Sequence, residues 1–141
     1  MAEKAKAGEA LIASNRKALF NYHVLERAEA GLALVGSEVK SIREGGLNFK
    51  DAWIEHRAGE LFLVGCHISP YRHGSYQNHA VERVRKLLLH KREIQRLGGK
   101  STEKGLTLVP LRAYFKNGRI KVEIGLARGK QAHDKRDAIR K

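Results

Sequence analysis

The sequence predicts a mainly β protein: a small antiparallel barrel of the OB type with two or three short helices and a disordered basic C-terminal tail. Its apolar runs are short and rich in β-formers, glycine-containing turns separate them, and the core-forming pattern stops after Leu126. A chain of 141 residues with 42% apolar content can build one modest core. Closure into a barrel is favoured because it removes exposed sheet edges.

The composition divides the chain into three parts. Residues 1–14 are rich in Ala, Lys, Glu and Gly and offer little to bury before Leu11 and Ile12, which predicts a flexible leader, frayed or briefly helical. Residues 15–127 carry the alternating pattern of the barrel. Residues 128–141 form a basic tail with almost nothing apolar to anchor it, so we expect it to be disordered when unbound.

The first half of the barrel region predicts a hairpin, a helix and a second hairpin. Residues 20–26 and 32–35 are β-rich and Gly31 lies between them, where it permits a turn. Ser37 is typical of a helix N-cap, and the short helix it begins should stop at Gly45 and Gly46. Further strands are predicted at 52–56 and 61–65, joined by a glycine-containing connection.

The second half holds a loop, an ambiguous segment and the clearest hairpin. Residues 69–80 have no sustained period and predict a mobile loop. Residues 84–97 fit either a helical stripe or a buried strand followed by a helix that starts near His90, with Gly98-Gly99 and Gly105 marking its exit. Residues 106–115 and 119–126 flank Asn117-Gly118, a pair that favours positive φ. Pro110 cannot donate to a ladder, so its strand should lie at an edge or carry a bulge.

The charge balance indicates a polyanionic partner. The chain has 28 Lys and Arg against 15 Asp and Glu, a formal charge of +13, which attracts nucleic acid. No apolar run approaches the ~18 residues of a membrane span, so we expect no membrane partner. The N-terminus also lacks the apolar core of a secretory signal, which predicts a cytoplasmic protein. Cys66 is the single cysteine and can form no intramolecular disulfide.

No pattern in the sequence predicts an enzyme. His67, His73 and His79 recur every six residues, a spacing that matches no ligand motif, and neither His-Glu-x-x-His nor a phosphate-binding glycine loop is present. Solvated or base-contacting histidines are the simpler interpretation. We therefore expect no catalytic residue, no metal and no cofactor, although a small metal-dependent ribonuclease stays open as an alternative.

Candidate RNA contacts are cations and aromatic rings. Tyr22 and Trp53 offer faces on which splayed bases can stack, although a core position is the more frequent case for both residue types. Phosphate contacts are predicted from Arg and Lys side chains near the first strand, in the basic segment 83–104 and on the last strand, namely Arg16, Lys17, Arg85, Lys86 and Lys121. For the basic segment, charge alone fits a solvated helix face about as well.

Four ordered blocks resemble one family. They are 29–45 (EAGLALVGSEVKSIREG), 85–89 (RKLLL), 105–111 (GLTLVPL), and 129–130 (GK) with 134–136 (DKR). In this order they are similar to SmpB, the family that binds transfer-messenger RNA during ribosome rescue. The resemblance implies an RNA-facing surface that includes Asn15, Glu29 and Leu88. Without the resemblance, the sequence favours a core position for Leu88 and a solvated strand end for Glu29. Phosphates repel a carboxylate, so Glu29 should face a base or sugar edge.

The resemblance also implies a role for the tail. In the family the tail occupies the empty messenger channel and decoding region of a stalled ribosome, and the positions that match its motif here are Lys130, His133, Asp134, Lys135 and Arg136. The implied function is an adaptor, monomeric when free, that binds the tRNA-like domain of transfer-messenger RNA and delivers it to the ribosome. The alternative from charge and fold is a general single-stranded nucleic-acid binder of the OB class.

Overall fold

A computed structural model of the chain describes residues 9–73 and 78–129. In these residues nine strands and three helices follow one another along the chain. They are β1 (Glu9–Ser14), α1 (Arg16–Asn21), β2 (Tyr22–Leu32), α2 (Gly36–Arg43), β3 (Leu47–Asn48), β4 (Trp53–Arg57), β5 (Glu60–Val64), β6 (His67–Ile68), β7 (Arg85–Leu88), α3 (Lys91–Lys104), β8 (Thr107–Lys116) and β9 (Arg119–Gly129). The mainly β class with short helices is confirmed.

Seven strands form one antiparallel sheet. Their order is β1-β8-β9-β2-β7-β5-β4, and β3 pairs with β6 in a separate two-stranded sheet. Strand β4 lies at one edge of the large sheet, yet its Cα atoms come within 8 Å of those of β8 near the other edge. The sheet therefore curls on itself in the manner of the predicted barrel.

The barrel interior is filled by alternate residues of the strands. Leu61 and Leu63 of β5, Leu87 of β7 and Val122 of β9 are completely buried, as the two-residue period of a strand requires when one face is inward. Cys66 also belongs to this core, and burial raises the pKa of its thiol to about 12. The thiol is therefore protonated and unreactive at neutral pH.

The hairpin β8–β9 is confirmed with the turn that the sequence predicts. Asn117 and Gly118 have φ values of 52° and 77°, so the connection has two residues and pairs Lys116 with Arg119. The register shifts between Pro110 and Arg112. Pro110 therefore lies at a bulge, one of the two positions expected for a residue that cannot donate to the ladder.

Strand β1 corrects the predicted leader. Residues 9–14 are neither frayed nor helical; they pair with β8, placing Leu11 opposite Tyr114 and Ala10 opposite Phe115. The outer edge of β8 offers unpaired backbone groups there, and pairing them offsets the entropy of ordering the segment. Residues 1–8 lie outside the described part of the chain.

Gly31 is not a turn, which corrects the first predicted hairpin. Strand β2 continues through it to Leu32 because β9 provides a ladder along most of its length. A second correction concerns Gly98, which lies inside α3 and does not end it. A Cβ on Gly98 would lie 2.5 Å from the ring of His56, so glycine is needed for the close approach of helix and strand. The exit predicted at Gly105 is confirmed, because α3 ends at Lys104 and Gly105 is its C-cap with a φ of +63°.

Helix α2 begins two residues earlier than predicted. Its N-cap is Val35, whose N–H donates to Oε1 of Glu38 at 2.9 Å. Ser37, predicted as the cap, lies inside the helix with its hydroxyl 2.9 Å from Nδ1 of His79. The predicted stop is confirmed: Gly45 has a φ of +83°, and Gly46 N–H donates to the Ser41 carbonyl at 2.9 Å, which is the Schellman arrangement.

The ambiguous segment is a strand followed by a helix. Residues 85–88 form β7 between β2 and β5, and α3 starts at Lys91. The chain after Leu126 stays in β9 as far as Gly129, so the boundary predicted at Arg128 falls inside a strand. In the described residues no helix has the length and apolar character needed to cross a bilayer.

Candidate nucleic-acid interface

Four predicted RNA contacts line one cleft. Asn15, Lys17, Tyr22 and Trp53 surround a cavity of about 200 Å³ between α1 and the start of β4, which we call the aromatic cleft. Trp53 is distant from the other three in sequence, and the packing of both α1 and β4 on β8 brings them together. Sequence reasoning named these residues separately; the structure makes them one site.

Asn15 is a buried residue of the aromatic cleft that fixes the position of α1. Its side-chain oxygen accepts the Ala18 N–H at 3.2 Å as the N-cap of α1, and its amide nitrogen donates to the Pro110 carbonyl at 2.8 Å. The residue is only 6% exposed. The resemblance predicted a residue on the RNA-facing surface, but the structure uses both ends of the amide to fix α1 against β8.

Trp53 is the exposed aromatic ring of the cleft. A Cβ on Gly65, whose φ is +79°, would lie 2.9 Å from Cζ3 of Trp53, so the indole lies directly over the glycine backbone. Its indole nitrogen donates to Oε2 of Glu55 at 3.4 Å, while 48% of the residue remains exposed. Trp53 is therefore held against the barrel with a large apolar surface exposed.

An ion pair closes one side of the aromatic cleft. Nζ of Lys17 lies 2.5 Å from Oδ1 of Asp51, and the two side chains are 67% and 80% exposed. The hydrogen bond from Lys17 lowers the pKa of Asp51, so the carboxylate is ionised at neutral pH. A pair this exposed contributes little to stability, and an arriving phosphate can compete for Lys17. Arg16, also predicted as a phosphate contact, lies on the exposed first turn of α1.

Glu29 lies on a second surface, the outer face of the sheet. Tyr114 donates its hydroxyl to Oε1 of Glu29 at 2.5 Å, and Nζ of Lys116 lies 3.2 Å from the same oxygen. The Tyr114 hydrogen bond lowers the pKa of Glu29, with further lowering from Lys116 and Lys121 outweighing the effect of burial. Glu29 is therefore ionised and oriented, and we call these four residues the carboxylate face.

Tyr114 and Lys116 are residues that the sequence reasoning missed. The signal was available, because a two-residue turn at 117–118 fixes the register and places Tyr114 opposite Lys121 on one face of the hairpin. Tyr114 is 2% exposed, and the guanidinium of Arg112 lies 4.4 Å from its ring centre. Burial, followed by the bond to Glu29, raises the pKa of Tyr114, so it stays a hydrogen-bond donor at neutral pH.

Leu88 is exposed beside the carboxylate face. Strand β7 alternates buried and exposed residues, which leaves Leu88 outward and 49% exposed. It pairs with Gly31, and a Cβ on that glycine would lie 3.3 Å from Cβ of Leu88. The absence of a side chain on Gly31 thus lets Leu88 lie over β2. The placement fits the surface role expected for Leu88, in contrast to a core role.

Arg85 is not a surface cation, which corrects its prediction as an RNA contact. It is 0% exposed, and its Nε donates to Oε2 of Glu38 at 2.7 Å while a terminal nitrogen donates to the Cys66 carbonyl at 2.7 Å. A buried carboxylate and backbone carbonyls satisfy its donors, so none is available to phosphate. Lys86, the next residue, has a 44% exposed side chain 3.5 Å from Glu60 and stays a candidate.

The predicted tail contacts cannot be placed. Lys130, His133, Asp134, Lys135 and Arg136 lie outside the described residues. Within residues 9–73 and 78–129, no group of three or more His, Cys, Asp or Glu is arranged to hold a metal ion. The interface that can be described thus consists of the aromatic cleft and the carboxylate face.

The fold and these surfaces define a class: a small, strongly basic antiparallel β barrel with exposed aromatic and leucine side chains among cations. The sequence model described as "SmpB protein" matches residues 12–141. The chain therefore belongs to the SmpB family.

Individual relatives agree with the family match. An SsrA-binding protein of Syntrophobacter fumaroxidans is 56% identical over 131 residues, which cover 93% of this chain and 81% of that protein. One from Carboxydothermus hydrogenoformans is also 56% identical, covering 94% of this chain and 89% of that protein. A solved structure described as "tmRNA-SmpB: a journey to the center of the bacterial ribosome" has a TM-score of 0.72 and 50% identity, covering 91% of this chain and 94% of that one.

Proposed function

We propose that this chain is an RNA-binding adaptor of trans-translation. It binds the tRNA-like domain of transfer-messenger RNA and delivers it to stalled ribosomes, where its tail senses the empty messenger channel. The family match, the SsrA-binding relatives and the ribosome-associated solved structure support this function. The protein acts in the cytoplasm, as a monomer when free, and carries out no catalysis.

One observation carries the proposal: an ionised, oriented carboxylate lies on a basic surface that phosphates would approach. Tyr114 and Lys116 both bind Oε1 of Glu29, whereas the nearest donor to Oε2 is Lys116 at 3.5 Å. Oε2 therefore keeps acceptor capacity for a base N–H or a ribose 2′-hydroxyl. A surface that only attracted phosphates would not place a carboxylate here, so Glu29 discriminates among RNA shapes.

The aromatic cleft and the carboxylate face contact different parts of the RNA. The carboxylate face, with Leu88 beside it, reads a base or sugar edge, and the aromatic cleft receives a base splayed out of a stack on Trp53 and Tyr22. Lys17, Arg16, Lys86 and Lys121 contact phosphates, while Asn15 holds α1 in position. In the tail, Lys130, Asp134, Lys135 and Arg136 contact the ribosome, and His133 stacks on a ribosomal base.

Trp53→Ala is expected to weaken binding of the tRNA-like RNA by about 5- to 150-fold, the range that loss of one stacked base implies at about 1–3 kcal/mol. Fluorescence anisotropy with the labelled RNA measures this. Leu25→Ala is the matched control, because Leu25 is 52% exposed but lines neither surface. Equal affinities for the Trp53 variant and the wild type would remove the aromatic cleft from the interface.

A competition titration tests the function as a whole. The protein should prefer a folded tRNA-like RNA over an unstructured oligonucleotide of the same length, and the preference should persist as salt is raised. A general binder would lose both ligands together, because counterion release drives both. Parallel loss of the two ligands would contradict the adaptor function, and RNA cleavage that needs divalent metal would contradict the absence of catalysis.

A further inference from the structure

A second cavity lies next to the carboxylate face. It has a volume of about 280 Å³ and opens where the end of β2, α2, β7 and the β8–β9 hairpin meet. Its walls include four apolar side chains from four different segments, namely Leu34, Val39, Leu88 and Ile120. All four keep some exposure, so the walls are apolar surface that the fold leaves uncovered.

Three cations surround this apolar cavity. Arg43 at the end of α2, Arg119 at the start of β9 and Lys121 contribute to its lining, and no carboxylate does. Within the described ranges, no acidic side chain forms an ion pair with Arg43 or Arg119. Their charge is therefore available to an incoming anion.

The combination defines the chemistry of the occupant. Apolar walls favour an aromatic or aliphatic group, and the surrounding cations favour a phosphate attached to that group. A nucleotide with its base inserted and its phosphates outside has both features. The volume of about 280 Å³ is large enough to admit a nucleobase. Lys121 lies opposite both Tyr114 and Gly31, so the cavity is continuous with the carboxylate face.

We propose that this cavity is a base pocket, which receives one unstacked RNA nucleobase between Leu88 and Val39 while Arg43 and Arg119 hold its flanking phosphates. The proposal rests on the proposed function for its RNA partner. It adds a binding site on α2 and the β8–β9 turn, and it gives Leu88 a definite contact. A nucleotide seated here lies next to the one that Glu29 contacts.

The first test is a titration that does not depend on the folded RNA. Adenosine 5′-monophosphate and uridine 5′-monophosphate are added to protein with labelled methyl groups, and the resonances of Val39, Leu88 and Ile120 are followed. Both nucleotides should shift these methyls, whereas inorganic phosphate at the same concentration should not. Nucleotides that leave the three methyls unshifted would overturn the proposal.

The second test fills the cavity. Val39→Phe should abolish the nucleotide-induced shifts and weaken binding of the tRNA-like RNA by about tenfold, within the range for one stacked base. Val35→Phe adds the same ring at a 44% exposed position that does not line the cavity, and should bind as the wild type. Wild-type RNA affinity in a correctly folded Val39→Phe protein would overturn the base pocket.

A charge variant covers the case in which the filled protein fails to fold. Arg43 and Arg119 are exposed, so the double variant Arg43→Gln with Arg119→Gln should fold normally. It should weaken nucleotide binding, although the apolar walls of the cavity are unchanged. Unchanged nucleotide binding would contradict the assigned phosphate contacts. If the wild type shows no preference for folded RNA but still binds mononucleotides at these methyls, the adaptor function fails and the base pocket stands.

Discussion

Glu38→Gln is expected to destabilise the protein by about 3–5 kcal/mol, the usual result of removing one partner of a buried ion pair. Glu38 and Arg85 are both 0% exposed, and Arg83 donates to the same carboxylate at 2.6 Å. Glutamine has nearly the same shape but no charge, so the change leaves the Arg85 guanidinium buried without a counter-ion. The cluster joins α2 to β7, the strand that also carries Leu88.

Urea unfolding measures this loss. Glu60→Gln is the control, because Glu60 pairs with Lys86 at 3.5 Å on the surface and should cost less than about 1 kcal/mol. The double variant Glu38→Met with Arg85→Met should be more stable than Glu38→Gln, since it removes both buried charges. A free energy of unfolding for Glu38→Gln within 1 kcal/mol of the wild type would show that Arg85 is satisfied by carbonyls alone.

The same cluster predicts a pH dependence. Burial alone would raise the pKa of Glu38, but hydrogen bonds from Arg83, Val35 and Arg85 outweigh it and hold the pKa below the ordinary 4.5. A lowered native pKa adds stability that is present above the unfolded value and is lost as pH falls through the native one. Wild-type stability should therefore fall more steeply below about pH 4.5 than that of Glu38→Gln, which lacks this titration.

Local signals explain which elements were predictable. The β8–β9 turn depends on Asn117 and Gly118 themselves, whose positive φ values favour a two-residue hairpin whatever lies around it. Strand β1 depends instead on the free edge of β8, about 100 residues away. No pattern within residues 9–14 indicates that this edge is available for pairing. Gly31 was misread for the same reason, because the ladder from β9 and the packing of Leu88 overrode its local preference for a turn.

Some residues of the candidate site could likewise be placed from local sequence patterns, and others could not. The exposure of Leu88 is consistent with the alternation of β7, and Tyr114 could have been placed on the carboxylate face from the hairpin register. Arg85 could not, since the sequence does not show that Glu38, 47 residues earlier, would be buried against it. A cation in a basic segment is attributed to phosphate binding by default, and only the tertiary structure reveals an internal partner.

Glu29→Gln is expected to reduce the preference for folded tRNA-like RNA over an unstructured oligonucleotide by about tenfold. Hydrogen bonds to charged groups contribute about 1.5–3 kcal/mol, and glutamine retains one acceptor, which places the loss at the lower end. Removing a negative charge from a chain of net charge +13 should leave oligonucleotide binding equal or slightly tighter, so the two ligands respond in opposite directions.

Opposite changes in the two affinities would distinguish specific recognition of the folded RNA from general electrostatic attraction. Glu103→Gln makes the same charge change at an exposed position of α3, and should raise both affinities slightly without altering their ratio. Tyr114→Phe should mimic part of the Glu29→Gln effect, because it removes the 2.5 Å hydrogen bond that orients the carboxylate while keeping its charge. If Glu29→Gln and Glu103→Gln gave the same ratio of affinities, Glu29 would be a solvated strand residue, and discrimination would have to come from the aromatic cleft.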